Sequence, residues 1–151
     1  MLKSRLMKLA LLLAIPLTMS AAGIPAGVFA GTWKADLAKC QFPGPPPQLD
    51  MVTIRPDGHV TVNEITPAGK KVSWTYLPSE GKPVKVNGRK NVTVTVRKVD
   101  DHTTEQTWNS NGKTSTSKAT VSEDGKTQTF EMDGVDKNGQ PTHEVVVYDK
   151  Q

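Results

Sequence analysis

The chain has 151 residues, with 19 Lys and Arg against 15 Asp and Glu, a single Cys, and only eight Trp, Tyr and Phe side chains. Three of the basic residues lie within the first 22 positions, so the rest of the chain carries 16 basic and 15 acidic residues. That near balance excludes the strongly basic surface on which nucleic-acid binding depends. The single Cys excludes an internal disulfide, so packing and backbone hydrogen bonds must hold the fold together.

The N-terminus has the organisation of a secretory signal peptide. Three basic residues precede an apolar run over residues 9–15, and small residues follow up to Ala22. The run is too short to span a bilayer but suits the core of a signal peptide. We therefore predict that residues 1–22 are removed and that residues 23–151 form one exported domain, periplasmic or secreted. No later stretch is long and apolar enough to predict a membrane span.

The sequence Gly-Thr-Trp-Lys at residues 31–34 predicts the first strand. We expect Trp33 to be buried at one end of the fold with its indole N–H bonded to a backbone carbonyl, because a buried indole needs a partner for that donor. Cys40 is expected as a small, half-buried residue at the end of this strand. The prolines of residues 43–47 exclude a helix in the segment that follows.

From residue 49 onward, β-branched and polar residues alternate in short runs, the pattern of strands exposed on one face. Turn pairs ending in Gly separate the runs, mostly at intervals of 11 to 14 residues. The predicted strands cover residues 51–55, 59–65, 71–77, 84–86, 91–99, 103–108, 114–121, 127–132 and 143–148. This series predicts an antiparallel meander of about 8–10 strands, and closing it into a barrel removes both raw edges. A two-sheet sandwich is the structural alternative.

Several motifs share one resemblance. They are the opening residues 29–42, the Pro-rich link, Ser73-Trp74-Thr75-Tyr76, Asp124-Gly125-Lys126-Thr127 and the closing residues 147–151. Together they resemble a family of small secreted bacterial lipocalin-like proteins of the calycin type, most of whose members have no assigned function. The likeness covers nearly the whole chain after the signal peptide.

Gly31-Thr32-Trp33 also resembles the opening of the wider lipocalin and fatty-acid-binding superfamily. There the Trp packs across the closed end of the barrel beneath an Arg from the last strand, and in this chain only Lys150 is placed to substitute for that Arg. The resemblance implies an all-β fold: a single antiparallel meander β-barrel, lipocalin- and fatty-acid-binding-like. It implies no helical lid, because residues 43–47 occupy the lid's place. We further expect the strand that ends in Tyr148 to pair with the strand that bears Trp33.

Four aromatic residues are predicted to bind a ligand. Trp74 and Tyr76 stand two apart on one predicted strand, so their side chains share a face. Trp108 and Phe130 can join them on that face from later strands. The functional interpretation is a pocket wall for a small hydrophobic molecule. The alternative is ordinary core packing, because these are most of the large apolar side chains available.

No catalytic constellation is recognisable in the sequence. His59, His102 and His143 are widely separated and lack metal-ligand spacing, and no nucleophile stands beside an oriented base. We predict a binding module that is not an enzyme and has no cofactor or metal; a strongly perturbed carboxylate inside the barrel would favour an enzyme instead. The alternative function is an interaction or inhibitor-like barrel. It would contact an exported protein partner through a free arm at residues 23–28 and the Pro-rich loop at residues 43–47.

Overall fold

The computed structural model describes residues 23–151, and the predicted signal peptide lies outside them. The described chain forms ten strands and two short 3₁₀ helices, Gly27–Phe29 and Leu37–Lys39. The strands are β1 Gly31–Ala35, β2 Leu49–Ile54, β3 Val60–Ile65, β4 Lys71–Tyr76, β5 Pro83–Lys85, β6 Val92–Lys98, β7 Thr103–Ser110, β8 Lys113–Val121, β9 Thr127–Val135 and β10 Pro141–Lys150. Within residues 23–151, no helix is long and apolar enough to cross a membrane.

All strand pairs are antiparallel, and the order in the sheet is β4-β3-β2-β1-β10-β9-β8-β7-β6-β5. Strands that are neighbours in sequence therefore pair, except β4 with β5, and β1 also pairs with β10, where Trp33 stands opposite Lys150. The predicted meander barrel is confirmed, as is the pairing of the last strand with the strand that bears Trp33. The described residues contain no α-helix, so the barrel has no helical lid.

The barrel is nearly closed by a short seam between β4 and the residues that directly follow β5, which we call the β4–β5 seam. Thr75 and Asn87 exchange two backbone hydrogen bonds there, with N···O distances of 2.9 and 2.8 Å. The next residue, Gly88, has φ of 91°, and a Cβ atom at this position would lie 2.5 Å from the carbonyl oxygen of Ser73. Only glycine fits both that backbone angle and that close approach. A single residue pair thus joins the two outer strands of the sheet.

Trp33 forms the centre of one end of the barrel, which we call the plugged end (Ala26, Phe29, Trp33 and Lys150). Its side chain has no exposed surface, and Nε1 donates a hydrogen bond to the carbonyl oxygen of Phe29 at 2.8 Å. The Lys150 ammonium lies 5.0 Å from the centroid of the indole ring. Such a cation over an aromatic face is attracted by the negative charge of the ring surface. The expected burial, backbone partner and Lys150 cover are all confirmed.

Residues 23–28 are not the free arm that we expected. The amide of Ile24 donates to the carbonyl of Pro78, and the amide of Ala26 donates to that of Pro56, each at 3.1 Å. Ala26 is buried, and Gly58 lies so close to the Ile24 carbonyl that a Cβ atom would not fit. That prediction was wrong because these partners lie on loops far away in sequence. In the Pro-rich loop, residues 43–46 are exposed and Pro47 is buried.

The chain between β1 and β2 follows the edge of β10 instead of covering the barrel. After the second 3₁₀ helix, Gln41 exchanges two hydrogen bonds with Val145, at 2.7 and 2.8 Å. Cys40 is half-buried, and its Sγ donates to the carbonyl of Asp36 and accepts from the amide of Val147. It therefore lies beyond the 3₁₀ helix rather than at the end of β1, and burial raises the pKa of its thiol.

Candidate ligand-binding cavity

A cavity of about 810 Å³ lies inside the barrel. Residues of the segment before β1 and of strands β2, β3, β4, β6, β7, β8, β9 and β10 line it. Its size falls within the range of about 300–1,000 Å³ that small-molecule sites occupy. Side chains along each strand point alternately inward and outward, so every second residue of a strand faces the cavity.

All four aromatic residues predicted from the sequence line the cavity: Trp74, Tyr76, Trp108 and Phe130. Tyr76 and Trp108 meet edge to face, with ring centroids 5.6 Å apart and planes at 85°. Full burial raises the pKa of Tyr76 well above its ordinary value. The guanidinium of Arg89 lies 4.3 Å from the ring centroid of Trp74. The structure brings the four together, and their contact with a ligand stays a prediction.

A chain of hydrogen bonds on β7 and β8 holds Trp108 in place. Its Nε1 donates to the hydroxyl of Ser117 at 2.9 Å, and that hydroxyl donates to Oε1 of Gln106. The Gln106 amide nitrogen then donates to the hydroxyl of Thr104 at 2.9 Å. Gln106 and Ser117 are both buried. Because each donor in this network has an acceptor, the indole is fixed while its apolar face borders the cavity.

Besides Asp101, which pairs with Lys98, three carboxylic acids line the same cavity: Asp50 on β2, Glu64 on β3 and Glu144 on β10. We call them the acidic wall. The Tyr148 hydroxyl donates to Oδ2 of Asp50 at 2.7 Å. Burial raises the pKa of Asp50 to about 6, with a contribution from Glu64 and against the lowering effect of that hydrogen bond. Burial, then the charges of Asp50 and Glu64, raise the pKa of Glu144.

The sheet register explains how these side chains meet. Asp50 stands directly opposite Glu64 in the β2–β3 ladder, so both carboxylates point to the same face. Tyr148 stands opposite Ala35 on β1, and the small Ala35 side chain leaves room for the phenol to reach Asp50 on the strand beyond. On its other side Tyr148 stands opposite Gln128 of β9. One row of the interior thus carries an unusual density of polar groups.

Two buried oxygen atoms of this row have no hydrogen-bond donor within residues 23–151. They are Oδ1 of Asp50 and Oε1 of Gln128. Gln128 is only 5% exposed and lines the cavity. A buried acceptor without a donor costs about 1–3 kcal/mol. Such a cost is ordinarily avoided, so these two atoms single out this part of the cavity.

Three basic residues also line the cavity: Lys98, His102 and Arg89, whose guanidinium lies over the Trp74 ring. Lys98 pairs with Asp101 at 2.6 Å, and Nδ1 of His102 lies 3.0 Å from the carbonyl oxygen of Val121. No member of the acidic wall forms an ion pair with a basic side chain of the described chain. In the same part of the chain, no three His, Cys, Asp or Glu residues are arranged to hold a metal ion.

We did not predict the acidic wall from the sequence, although the two-residue alternation along each strand indicated that these carboxylates face inward. Glu64 follows Val60 and Val62 at intervals of two, and Glu144 precedes Val146 and Tyr148 in the same way. Asp50 fell one residue before the predicted start of its strand. Extending each apolar face by two positions would have placed all three carboxylates inside.

A nearly closed barrel of ten antiparallel strands around an internal cavity belongs to the fold class of the fatty-acid-binding proteins. Two solved structures show the likeness. The Schistosoma mansoni fatty acid binding protein in complex with arachidonic acid has a TM-score of 0.58 at 19% identity, covering 85% of this chain and 99% of that one. The wild-type fluorescent protein UnaG has a TM-score of 0.57 at 16% identity, covering 83% and 99%. No protein-family model and no curated protein matches the sequence.

Proposed function

We propose that this protein is an exported, non-catalytic barrel that binds a small molecule with a large apolar part inside its cavity. The observation that carries the proposal is the 810 Å³ cavity with four aromatic side chains on its wall. A solid core would have had no such space, since protein interiors are close-packed and large voids are costly. The arachidonic acid bound by the Schistosoma protein supports the same use of a barrel with this fold.

Binding can be tested with Nile red, a neutral dye whose fluorescence rises in apolar surroundings. We expect one dye molecule per chain in saturable binding. The Trp108→Ser variant removes part of the apolar lining and should weaken binding by about tenfold, because an aromatic contact contributes about 1.4 kcal/mol. Thr107→Ser is the matched control: Thr107 is the preceding residue of β7 and faces outward. Failure of the wild type to bind the dye would overturn the proposal.

Export is tested separately. The full chain, expressed in a Gram-negative bacterium, should be recovered from the periplasm or the medium with Gly23 as its first residue. Mass spectrometry gives that terminus directly. The Leu12→Arg variant interrupts the apolar run of the predicted signal peptide and should stay unprocessed in the cytoplasm. Cytoplasmic recovery of an uncut wild-type chain would contradict export while leaving the binding proposal intact.

One observation favours a second candidate function, acid–base catalysis. Asp50 is a carboxyl group inside the cavity whose burial raises its pKa to about 6, a value suited to proton transfer near neutral pH. Binding is better supported, because the only hydroxyl of residues 23–151 that contacts Asp50 is that of Tyr148, which donates to it and supplies no nucleophile. Hydrolysis of p-nitrophenyl esters that is lost in Asp50→Asn would favour the enzyme.

A further inference from the structure

We propose that the molecule bound in the cavity is a cationic amphiphile, with its apolar body against the aromatic wall and a protonated amine held by the acidic wall. This inference rests on the proposed binding function and specifies its ligand class. It is carried by three carboxylates that line one cavity and form no ion pair within residues 23–151, while Arg89 of the same cavity lies over Trp74 and Lys98 pairs with Asp101. A separate observation also supports it: Oε1 of Gln128, a cavity-lining side chain only 5% exposed, has no donor within residues 23–151.

The charge balance of the acidic wall points to a missing cation. Asp50 and Glu64 stand opposite each other on adjacent strands, and Glu144 is close enough for both of their charges to raise its pKa. Like charges in a buried site repel each other strongly, because little water screens them. An ammonium group among the three would replace that repulsion with attraction. A fatty acid would add a fourth carboxylate to the site.

The numbers of hydrogen-bond donors and acceptors near the acidic wall also favour a bound ammonium group. This part of the cavity is rich in hydrogen-bond acceptors: the carboxylates of the acidic wall and the side-chain oxygen of Gln128. The Tyr148 hydroxyl already donates to Asp50. Oδ1 of Asp50 and Oε1 of Gln128 have no donor at all within the described part of the chain. A primary ammonium carries three N–H donors and no acceptor. An ammonium in the cavity would supply the missing donors once the buried oxygens of Asp50 and Gln128 turn toward it.

The spacing of the acids favours an organic cation over a metal ion. A metal needs several ligands converging within about 2–2.6 Å of one point. The carboxylates of residues 23–151 include no such convergent group. An ammonium tolerates acceptors that are farther apart, because each N–H forms a separate hydrogen bond about 2.7–2.9 Å long. An alkyl chain on that nitrogen can extend over the aromatic side of the cavity.

The inference is tested with three probes that share one alkyl chain and differ in the head group: dodecylamine, dodecanol and dodecanoate. Each displaces Nile red from the full mature chain at pH 7, below the concentration at which it forms micelles. We expect dodecylamine to bind about tenfold more tightly than dodecanol, the factor for one charged hydrogen bond, and dodecanoate to bind more weakly than either. Dodecanoate or dodecanol binding as tightly as the amine would overturn the inference and leave the binding function standing. Failure of all three, with or without Nile red binding, would overturn it as well.

The acidic wall is tested through the ratio of the dodecylamine and dodecanol dissociation constants, since partial misfolding weakens both probes alike. Asp50→Asn and Glu144→Gln should each reduce the preference for the amine several-fold, and the double variant should remove it. Glu105→Gln is the matched control, because Glu105 is an exposed acid on the outer face of β7. An unchanged ratio in the double variant, or an equal loss in the control, would show that the amine is attracted elsewhere and would overturn the assignment.

Discussion

The plugged end and the acidic wall treat buried polar groups in opposite ways. At the plugged end, the single polar atom of Trp33 has a backbone acceptor at 2.8 Å, and Lys150 covers the ring. In the acidic wall, Asp50 keeps an unpaired oxygen and a pKa raised to about 6. One region therefore stabilises the folded chain, while the other reduces its stability at neutral pH.

The largest effect is expected at the plugged end. Trp33→Ala should lower the free energy of unfolding by about 3–5 kcal/mol, the usual loss when a large buried aromatic side chain is truncated. Urea unfolding followed by circular dichroism measures the change. Because whole domains are often stable by only about 5–15 kcal/mol, Trp33→Phe offers a milder variant for which folding is retained.

Trp74→Phe is the matched comparison for Trp33→Phe, because Trp74 is half-buried and borders the cavity. It should change the free energy of unfolding by less than about 1 kcal/mol. Equal losses in the two Phe variants would mean that the two regions do not differ in the way described.

The next largest effect is a gain in stability rather than a loss. Asp50→Asn should raise the free energy of unfolding at pH 7 by up to about 3 kcal/mol, since a pKa shift of one unit corresponds to about 1.4 kcal/mol. The pKa is about 6 in the folded chain against 3.8 for an ordinary Asp. The folded state therefore binds the proton more tightly, and its stabilisation is present below pH 4 and is lost as pH rises through 6.

Unfolding measured from pH 4 to pH 7 should show this loss in the wild type and a flatter profile in Asp50→Asn. The amide oxygen can still accept from Tyr148, so the variant removes the charge and retains the hydrogen bond. Glu123→Gln, at an exposed turn, should follow the wild type. A variant that parallels the wild-type profile would show that Asp50 titrates normally.

A smaller gain is expected from Gln128. Gln128→Met replaces the amide by an apolar group of similar size and removes a buried acceptor without a donor. The free energy of unfolding should rise by about 1 kcal/mol, the lower range for relieving one unsatisfied group. Thermal unfolding resolves a change of this size. A clear loss of stability would indicate that the Gln128 amide has a partner essential to the fold.

The smallest effect concerns the β4–β5 seam. The amides of Thr75 and Asn87 form one isolated pair, whereas β9 and β10 share a ladder of nine paired residues. Local opening should therefore make those two amides exchange with solvent at least about tenfold faster than ladder amides in the middle of β10. Hydrogen exchange followed by NMR measures both sets in one sample. Equal protection would mean that the seam opens only when the whole barrel unfolds.

The strands and the closure of the barrel were predictable because both depend on local patterns. Period-two alternation located the strands, and the inward parity of Trp74, Tyr76, Trp108 and Phe130 followed from it. The Gly-x-Trp opening indicated which end Trp33 would plug.

The acidic wall was not predictable on the same grounds. A packed barrel of narrow radius would exclude Asp50, Glu64 and Glu144, and the radius depends on strand tilt and stagger, which alternation does not encode. The position of residues 23–28 depends on hydrogen bonds to carbonyls of two distant loops, which no local sequence pattern predicts.

If the proposed ligand leaves through the narrow β4–β5 seam, its residence time does not depend on the stability of the whole protein. Parting Thr75 from Asn87 breaks two hydrogen bonds and leaves all nine strand pairings of the sheet intact. The dissociation rate of such a ligand would depend on how often the β4–β5 seam opens. Its affinity would depend on the side chains that line the cavity. Substitutions in the β4–β5 seam would then change the residence time of the ligand. Substitutions in the cavity lining would change its affinity.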